Sequence, residues 1–249
     1  MRKISQMRAL YLKEIKGFLS SIIGYIFMLI FVVTCWLFLW VISDYYNLLE
    51  GGVADLIPFF NLTPLILLIL IPAITMRSFA EEKRTGTIEL LYTRPISDFK
   101  ILAAKYLAGV TLVVITLLPT ITFYFSMHYL GDPVGVLDDG AAVTSYLGLI
   151  LLGATFVSIG IFASTITSNQ IVAFIIAMFL CWFLFSGLSL LGSYATFAGF
   201  DSIIRYASID FHYESIKKGV LIFSDIFYFL SLIAFFLFAS HNVLTALRK

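Results

Sequence analysis

Long uninterrupted apolar runs alternate with short polar stretches along this chain of 249 residues. Each run reaches the roughly 17–25 residues that a helix needs to cross a bilayer. The runs are continuous and lack the polar and apolar alternation typical of a β-barrel. The pattern therefore predicts an all-α integral membrane protein with six transmembrane helices, at about 21–42, 56–76, 101–127, 144–167, 171–192 and 220–240.

The first 20 residues carry a different pattern, in which apolar residues recur on one helical face. These apolar positions are Met7, Leu10, Tyr11, Ile15, Phe18 and Leu19. Such a helix lies along the membrane surface rather than across it. We predict an amphipathic interface helix over residues 1–20. It is interpreted as a basic topology anchor, as a contact for a cytoplasmic partner, or as both, with these characteristic residues: Leu10, Tyr11, Lys13, Ile15 and Phe18.

The segment 77–100, between the second and third spans, is too densely charged to lie in hydrocarbon. Thr85-Gly86 is expected to break a helix that continues from the second span. A second helix of about six residues is predicted over Thr87–Tyr92 and ends before Pro95. A helix of that length is about 9 Å long and is unstable alone. It needs a groove, and binding of a short amphipathic helix in the groove of a partner protein is a known mode of recognition. The alternative is a surface loop that is held by its own spans.

The distribution of lysine and arginine predicts the orientation of the chain. Of the 16 basic residues, Arg205, Lys217 and Lys218 lie on one side of the membrane, and the rest lie on the side of the termini and the 77–100 loop. Cytoplasmic loops are the ones enriched in these residues. Both termini are therefore predicted to be cytoplasmic, in a multi-pass protein of the plasma membrane.

Composition and motifs narrow the function. The chain is 61% hydrophobic and 12% charged, whereas soluble domains carry about 25% charged residues. No basic stripe indicates nucleic-acid binding, and Cys35 and Cys181 are expected to be buried packing residues. The chain has no Gly-Lys dipeptide and therefore no phosphate-binding loop. We predict no enzyme activity and no cofactor in this chain, so that any ATP is bound by another subunit.

The loop over 193–219 is rich in aromatic residues, which predicts short helices at the outer membrane interface. Asp225 follows in the sixth span, as a candidate polar residue of a transport path. The alternative is a side chain that reaches interfacial water or Lys218. Asp210, His212 and Glu214 alternate in the loop, but their spacing matches no known metal site and fits an exposed edge equally well. No metal site is predicted.

The charged loop resembles that of a known family. The run 76–97, followed by Lys100 and Lys105, is similar to the first cytoplasmic loop of ABC transporter permeases of the type 2 exporter (ABC-2) class. The run 168–173 resembles the short second coupling turn of that class. The run 211–220 resembles the outer-loop signature of the branch that includes gliding-motility and nitrous-oxide-reductase-maturation permeases. The resemblance covers essentially the whole chain.

This resemblance implies a single permease domain over 1–249 in a bacterial inner membrane. It also implies a second permease copy or related permease, membrane lipids around the spans, and separately encoded ATPase subunits that bind Mg-ATP. The residues implied at the ATPase interface are Glu81, Glu82, Gly86, Thr87, Ile88, Glu89, Leu90, Leu91, Tyr92, Pro95, Asn169 and Gln170. Of these, Glu81 and Glu82 are expected to hold the loop against the interface helix.

Three functions remain open from the sequence. The first is the membrane subunit of an ATP-driven exporter or force transmitter, with a role in gliding motility as one form of it. The second is a secondary transporter driven by an ion gradient, for which Asp225 is the candidate ionisable residue. The third is a non-transporting scaffold whose loop recruits a cytoplasmic complex.

Overall fold

The computed structural model describes residues 2–42, 45–50, 52, 54–92, 96–193 and 201–248. This described part is built from helices and contains no strand. The α-helices are α1 (Arg2–Leu19), α2 (Ile22–Trp36), α3 (Ile57–Thr75), α4 (Ala80–Arg84), α5 (Thr87–Tyr92), α6 (Asp98–Leu117), α7 (Ile121–Leu130), α8 (Asp139–Ile166), α9 (Gln170–Trp182), α10 (Leu188–Ser193), α11 (Asp201–Tyr206), α12 (Ile209–Ile216) and α13 (Phe223–Leu247).

Six helical segments of the described part are long and apolar enough to cross a membrane, which confirms the predicted all-α, six-span architecture. The π-helical segments Leu37–Val41 and Phe183–Gly187 continue α2 and α9. The third span is divided by a single 3₁₀ turn at Leu118–Thr120, which contains Pro119. By contrast, α3 continues through both of its internal prolines.

The fourth span, α8, is the centre of the bundle. Most of its residues are buried, and its small residues allow the neighbouring helices to approach closely. A Cβ atom at Gly160 would lie 2.0 Å from Thr75 Oγ1 on α3, and one at Gly153 would lie 2.7 Å from Val113 Cγ1 on α6. The small-residue spacing in this span therefore serves packing within one chain.

The interface helix α1 lies against α6 with its predicted apolar face inward. Leu10, Ile15 and Phe18 are half-buried, whereas Arg8 and Lys13 are exposed. The amphipathic pattern of the sequence thus describes the orientation of α1 correctly.

The two ends of the bundle differ in charge. The basic end is the one that holds α1, residues 77–92 and the turn 167–169. The acidic end is the one that holds residues 45–50, 54–55, 131–138 and 201–222. At the acidic end, Ser145 Oγ donates to the carbonyl oxygen of Lys217 at 3.0 Å. Tyr213 Oη donates to Phe60 O at 3.0 Å. These bonds attach α12 to α3 and α8.

Candidate coupling site

The charged loop at the basic end consists of two short helices joined by a tight reversal. α4 ends at Arg84 and α5 begins at Thr87, in the range that the sequence predicts. Gly86 between them has φ +72°, a conformation that glycine adopts without strain. Thr85 Oγ1 donates to Glu81 O at 2.9 Å and lies 2.9 Å from Thr87 Oγ1. The reversal is thus held by local hydrogen bonds.

The beginning of α4 is fixed to the central span by one hydroxyl group. Ser164 Oγ on α8 accepts hydrogen bonds from Phe79 N at 2.8 Å and from Ala80 N at 3.0 Å. The same hydroxyl donates to Met76 O at 3.2 Å. The first N–H groups of a helix have no partner within the helix. Ser164 therefore supplies from another span the cap that α4 lacks in its own sequence.

A second contact joins α4 to the last turn of α8, next to the connection with α9. Lys83 Nζ donates to the carbonyl oxygen of Thr165. Four residues further on, Asn169 caps α9, because its side-chain oxygen accepts from Ile171 N at 2.9 Å. Asn169 is exposed and Gln170 is half-buried. The structure thus brings both sequence regions predicted for the ATPase interface to the basic end.

A buried cation lies where α1, α4 and α6 meet. Lys105 is 5% exposed, and its Nζ lies 2.8 Å from Glu82 Oε1 and 3.3 Å from Glu14 Oε1. It also lies 5.1 Å from the centroid of the Phe79 ring, within the range of a cation–π contact. Buried charges are tolerated in proteins when they are paired in this way. We call Glu14, Glu82 and Lys105 the buried triad.

The remaining residues predicted for the loop fall into three groups. Gly86, Thr87 and Glu89 are exposed, so they form the accessible tip of the loop. Ile88 is half-buried and packs against the core of this same chain. Glu81 is half-buried on α4. The following calls lie outside the described residues or side chains: Leu90, Leu91, Tyr92 and Pro95.

The interface helix contributes one further polar contact. Tyr11 Oη lies 2.8 Å from Thr111 Oγ1 on α6, within hydrogen-bonding distance. Farther along, Ile15 and Phe18 line a shallow apolar hollow together with Ala108 and Ile115 of α6. α1 is therefore attached to the third span by both polar and apolar contacts.

At the acidic end, Asp225 has a partner that the sequence did not indicate. Its Oδ1 lies 2.8 Å from His212 Nδ1, and both residues are buried. The expectation that Asp225 reaches Lys218 or interfacial water is therefore wrong, and Lys218 pairs with Glu214 at 2.8 Å. The alternation of Asp210, His212 and Glu214 does not mark an exposed edge, because these residues lie on helix α12 and His212 is on its buried side. Among the described residues, no group of three His, Cys, Asp or Glu side chains is placed to hold a metal.

The sequence interpretation missed the roles of Lys105, Glu14 and Ser164. A signal existed for Lys105, since it falls inside the predicted span 101–127, where a charged residue indicates function or a buried partner. Glu14 lies among the apolar positions of the interface helix, which is a weaker signal of the same kind. Ser164 gave no signal beyond its small size.

The sequence matches the model of one known protein family. The family model described as ABC-2 family transporter protein matches residues 8–246. The match therefore extends from the interface helix to the last turn of α13. No curated protein gives a significant match to the chain.

Proposed function

The chain belongs to the ABC-2 family of transporter proteins, and from this membership we propose that it couples ATP hydrolysis in a separate ATPase subunit to movement of its own spans. As a family member it is a multi-pass permease subunit of an ABC transporter. The proposed output is export of a cargo or transmission of force across the membrane. Mg-ATP is bound by the partner, and this chain contributes no catalytic residue.

One observation carries the proposal, namely that an exposed polar tip is connected to two spans through buried polar contacts. Thr87 and Glu89 are exposed on α5. The adjoining α4 is bonded to α8 through Ser164 and to α6 through Lys105. Because packed protein interiors deform little, a displacement of the tip is transmitted to both spans. This arrangement suits a part that receives force from a nucleotide-driven subunit.

In this proposal the ATPase subunit binds two regions of the basic end. The first is the tip at Gly86, Thr87 and Glu89, continued by the rest of α5 and by Pro95. The second is the turn at Asn169 and Gln170. Glu82 holds the tip against the interface helix indirectly, because Lys105 lies between Glu82 and Glu14.

The proposed location is a bacterial inner membrane with both termini in the cytoplasm. The basis is the excess of lysine and arginine at the basic end, which is typical of the cytoplasmic side. An ATPase supplied with cytoplasmic ATP needs the tip on that side. The proposed ATPase partner therefore requires the basic end to be cytoplasmic.

Apolar faces on the outside of the bundle support the proposed second permease copy and the surrounding lipids. Ile22 and Leu29 on α2 are 76% and 62% exposed. Phe223 and Phe227 on α13 are 80% and 70% exposed. Soluble monomers rarely expose so many large apolar side chains together. Membrane lipid and a second copy, or a related permease, are the proposed occupants of these faces.

The finer assignment rests on the 211–220 segment, which resembles the gliding-motility and nitrous-oxide-reductase-maturation branch. We propose on that basis that the complex serves assembly or secretion of surface machinery. An adjacent reading frame with a phosphate-binding loop, flanked by gliding or copper-enzyme genes, is the expected genomic context.

The two alternative functions predict different energy requirements. A secondary transporter keeps moving its cargo without ATP and stops when the proton gradient is removed. A scaffold keeps its function when the ATPase partner is catalytically inactive. The proposed coupling function requires both the partner and its ATP hydrolysis.

The proposal is tested by Glu89→Lys and Thr87→Trp, which change the charge and the size of the exposed tip. We expect either variant to weaken the affinity for the ATPase by about tenfold, equivalent to about 1.4 kcal/mol of binding free energy. Co-purification and permease-stimulated turnover should both fall. Thermal unfolding of Glu89→Lys should stay unchanged, because Glu89 is exposed.

Glu50→Lys is the matched control, since Glu50 is an exposed carboxylate at the acidic end. This variant should behave like the wild type in both assays. Wild-type association and turnover in both tip variants would contradict the proposal.

A further inference from the structure

The side chain of His212 is enclosed at the acidic end with an acceptor at each ring nitrogen. His212 is 1% exposed. Its Nδ1 lies 2.8 Å from Asp225 Oδ1 on α13, and its Nε2 lies 2.8 Å from the carbonyl oxygen of Tyr206 on α11. One imidazole therefore connects three helices, α11, α12 and α13.

These two contacts determine how many protons the pair holds. A carbonyl oxygen only accepts hydrogen bonds, so the contact with Tyr206 needs a hydrogen on Nε2. An ionised carboxylate likewise only accepts, so the contact with Asp225 needs a hydrogen on Nδ1. Neutral imidazole carries a single N–H. With His212 neutral and Asp225 ionised, one of the two 2.8 Å contacts would set lone pair against lone pair.

The surroundings favour placing the extra proton on the imidazole. The Tyr228 ring is stacked on His212, with centroids 3.9 Å apart and planes 21° from parallel. The face of an aromatic ring attracts a cation. Asp225 is 4% exposed, and its Oδ2 is buried without a hydrogen-bond partner in the described structure. A buried carboxylate needs an opposite charge nearby, and His212 is placed to supply it.

We propose that His212 and Asp225 form a proton-binding site, in which imidazolium and carboxylate hold the outer helices α11 and α12 against the sixth span. The ligand is a proton, exchanged with water at the acidic end. Its loss leaves one of the two His212 contacts repulsive and releases α11 and α12 from α13. This site lies far along the spans from the coupling site and does not depend on the proposed ATPase partner.

Further contacts define the unit that the proton controls. Tyr228 Oη donates to Ala207 O at 2.5 Å, next to the carbonyl group that His212 contacts. The Tyr206 ring lies edge-on to His212 at 4.8 Å. Residues 206–208 therefore join α13 through His212 and Tyr228 together, so that a change in one contact affects the other.

The other charged and titratable groups on these elements are engaged elsewhere or lie around the pair. Glu214 is paired with Lys217 and Lys218. Burial raises the pKa of Asp210, and the positive charge of Lys217 opposes that shift. The remaining such groups with described side chains on the helices packed around α12 are Arg205 and Tyr206 on α11, Tyr213 on α12, Asp139 and Tyr146 on α8, and Tyr228 and the distant His241 on α13.

The sign of the pH dependence follows from the pair. The closed arrangement is complete while His212 is protonated and Asp225 is ionised. Removal of the imidazolium proton by base breaks this arrangement, because one of the two His212 contacts then loses its hydrogen.

The protonation state is measured by ¹⁵N NMR of histidine-labelled, full-length protein in lipid nanodiscs. The His212 signals are identified by their loss in His212→Gln. At neutral pH we expect both His212 ring nitrogens to be protonated. A neutral ring with one unprotonated nitrogen would overturn the proposal.

The release of the outer helices is measured with nitroxide labels at Ile203→Cys on α11 and Phe227→Cys on α13, positions that are 65% and 70% exposed. The native Cys35 and Cys181 are buried and do not compete for the label. We expect a narrow distance distribution at neutral pH that broadens severalfold at alkaline pH. A distribution that is the same at neutral and at alkaline pH would overturn the proposal.

Two variants separate a proton site from a merely structural contact. Asp225→Asn keeps an acceptor of similar shape but removes the negative charge, so His212 should lose its second proton and the pH response should disappear. His241→Gln is the matched control, because it changes a histidine at the far end of the same helix. It should leave both measurements as in the wild type. A pH response that survives Asp225→Asn would contradict the assignment.

Discussion

Lys105 and Glu82 are bonded at 2.8 Å across the junction of the third span and the charged loop, although 23 residues separate them in the chain. Glu14 approaches the same Nζ at 3.3 Å from the interface helix. One lysine therefore connects three elements that differ in their membrane position. The cation holds α4, and α4 leads directly into α5, whose six residues do not form a stable helix alone.

Removal of the Lys105 charge should destabilise the protein. Lys105→Met keeps most of the apolar stem but leaves two carboxylates without their cation. Breaking a buried pair in this way costs about 3–5 kcal/mol. We expect a lower midpoint of thermal unfolding and a loss of permease-stimulated ATP turnover.

Two further variants test the origin of this effect. Lys100→Met removes a half-buried lysine five residues earlier on the same helix and should cost much less. Neutralising the carboxylates in Lys105→Met, by Glu14→Gln and Glu82→Gln, should recover stability without recovering stimulated turnover. A midpoint in Lys105→Met equal to that of Lys100→Met would count against the buried triad.

Ser164→Ala should release the beginning of α4 from the central span. The N–H groups of Phe79 and Ala80 lose their acceptor, and each unsatisfied buried group costs about 1–3 kcal/mol. We expect faster hydrogen exchange at these two amides and weaker ATPase co-purification. Ser158→Ala is the control, because the Ser158 hydroxyl bonds Thr155 O within the same helix at 2.7 Å. Equal exchange rates in the two variants would argue against the cap.

Gly160→Ala should separate the second and fourth spans. The added methyl group would lie 2.0 Å from Thr75 Oγ1 and 2.8 Å from Thr75 Cβ, so the helices must shift. Overpacking of this kind costs about 1–3 kcal/mol, seen as a lower unfolding midpoint. Thr75→Ala should rescue the variant in part. The control Gly17→Ala meets open space and should be neutral or stabilising by up to about 1 kcal/mol.

Cysteine labelling should show the tip and the acidic end on opposite sides of the membrane. The native Cys35 and Cys181 are buried, so the wild-type chain gives a low background. A membrane-impermeant maleimide should label Val136→Cys, where Val136 is 51% exposed, in intact cells. Glu89→Cys should react only after permeabilisation. Labelling of Glu89→Cys in intact cells would reverse the proposed orientation and remove the basis for an ATPase partner.

The span architecture was predictable because it depends on run length and composition. A bilayer imposes a minimum helix length, and the six apolar runs meet it without reference to any contact. The bounds of α5 were readable for a similar reason, since Gly86 and Pro95 are strong local breakers of helices. The amphipathic face of α1 follows directly from the spacing of Leu10, Ile15 and Phe18.

The polar contacts were not predictable, because their partners are distant in sequence. Lys105 is 91 residues from Glu14, and Ser164 is 85 residues from Phe79. The spacing of apolar residues along the chain does not indicate which buried polar groups are in contact in the fold. The partner of Asp225 was missed for another reason, since the alternation around His212 was interpreted as an edge when the segment forms a helix whose inner side carries the imidazole.

The reversal at Gly86 also defines where this permease and its relatives can be recombined. The polar contacts that attach the loop to α6 and α8, from Phe79 to Lys83, precede this glycine, whereas the exposed Thr87 and Glu89 follow it. Under the proposed function, a chimaera that exchanges residues 86–96 for those of a paralogue should bind the paralogue's ATPase subunit. It would keep the native contacts of α4 with α6 and α8. The choice of ATPase subunit and the choice of cargo should therefore be separable among related permeases.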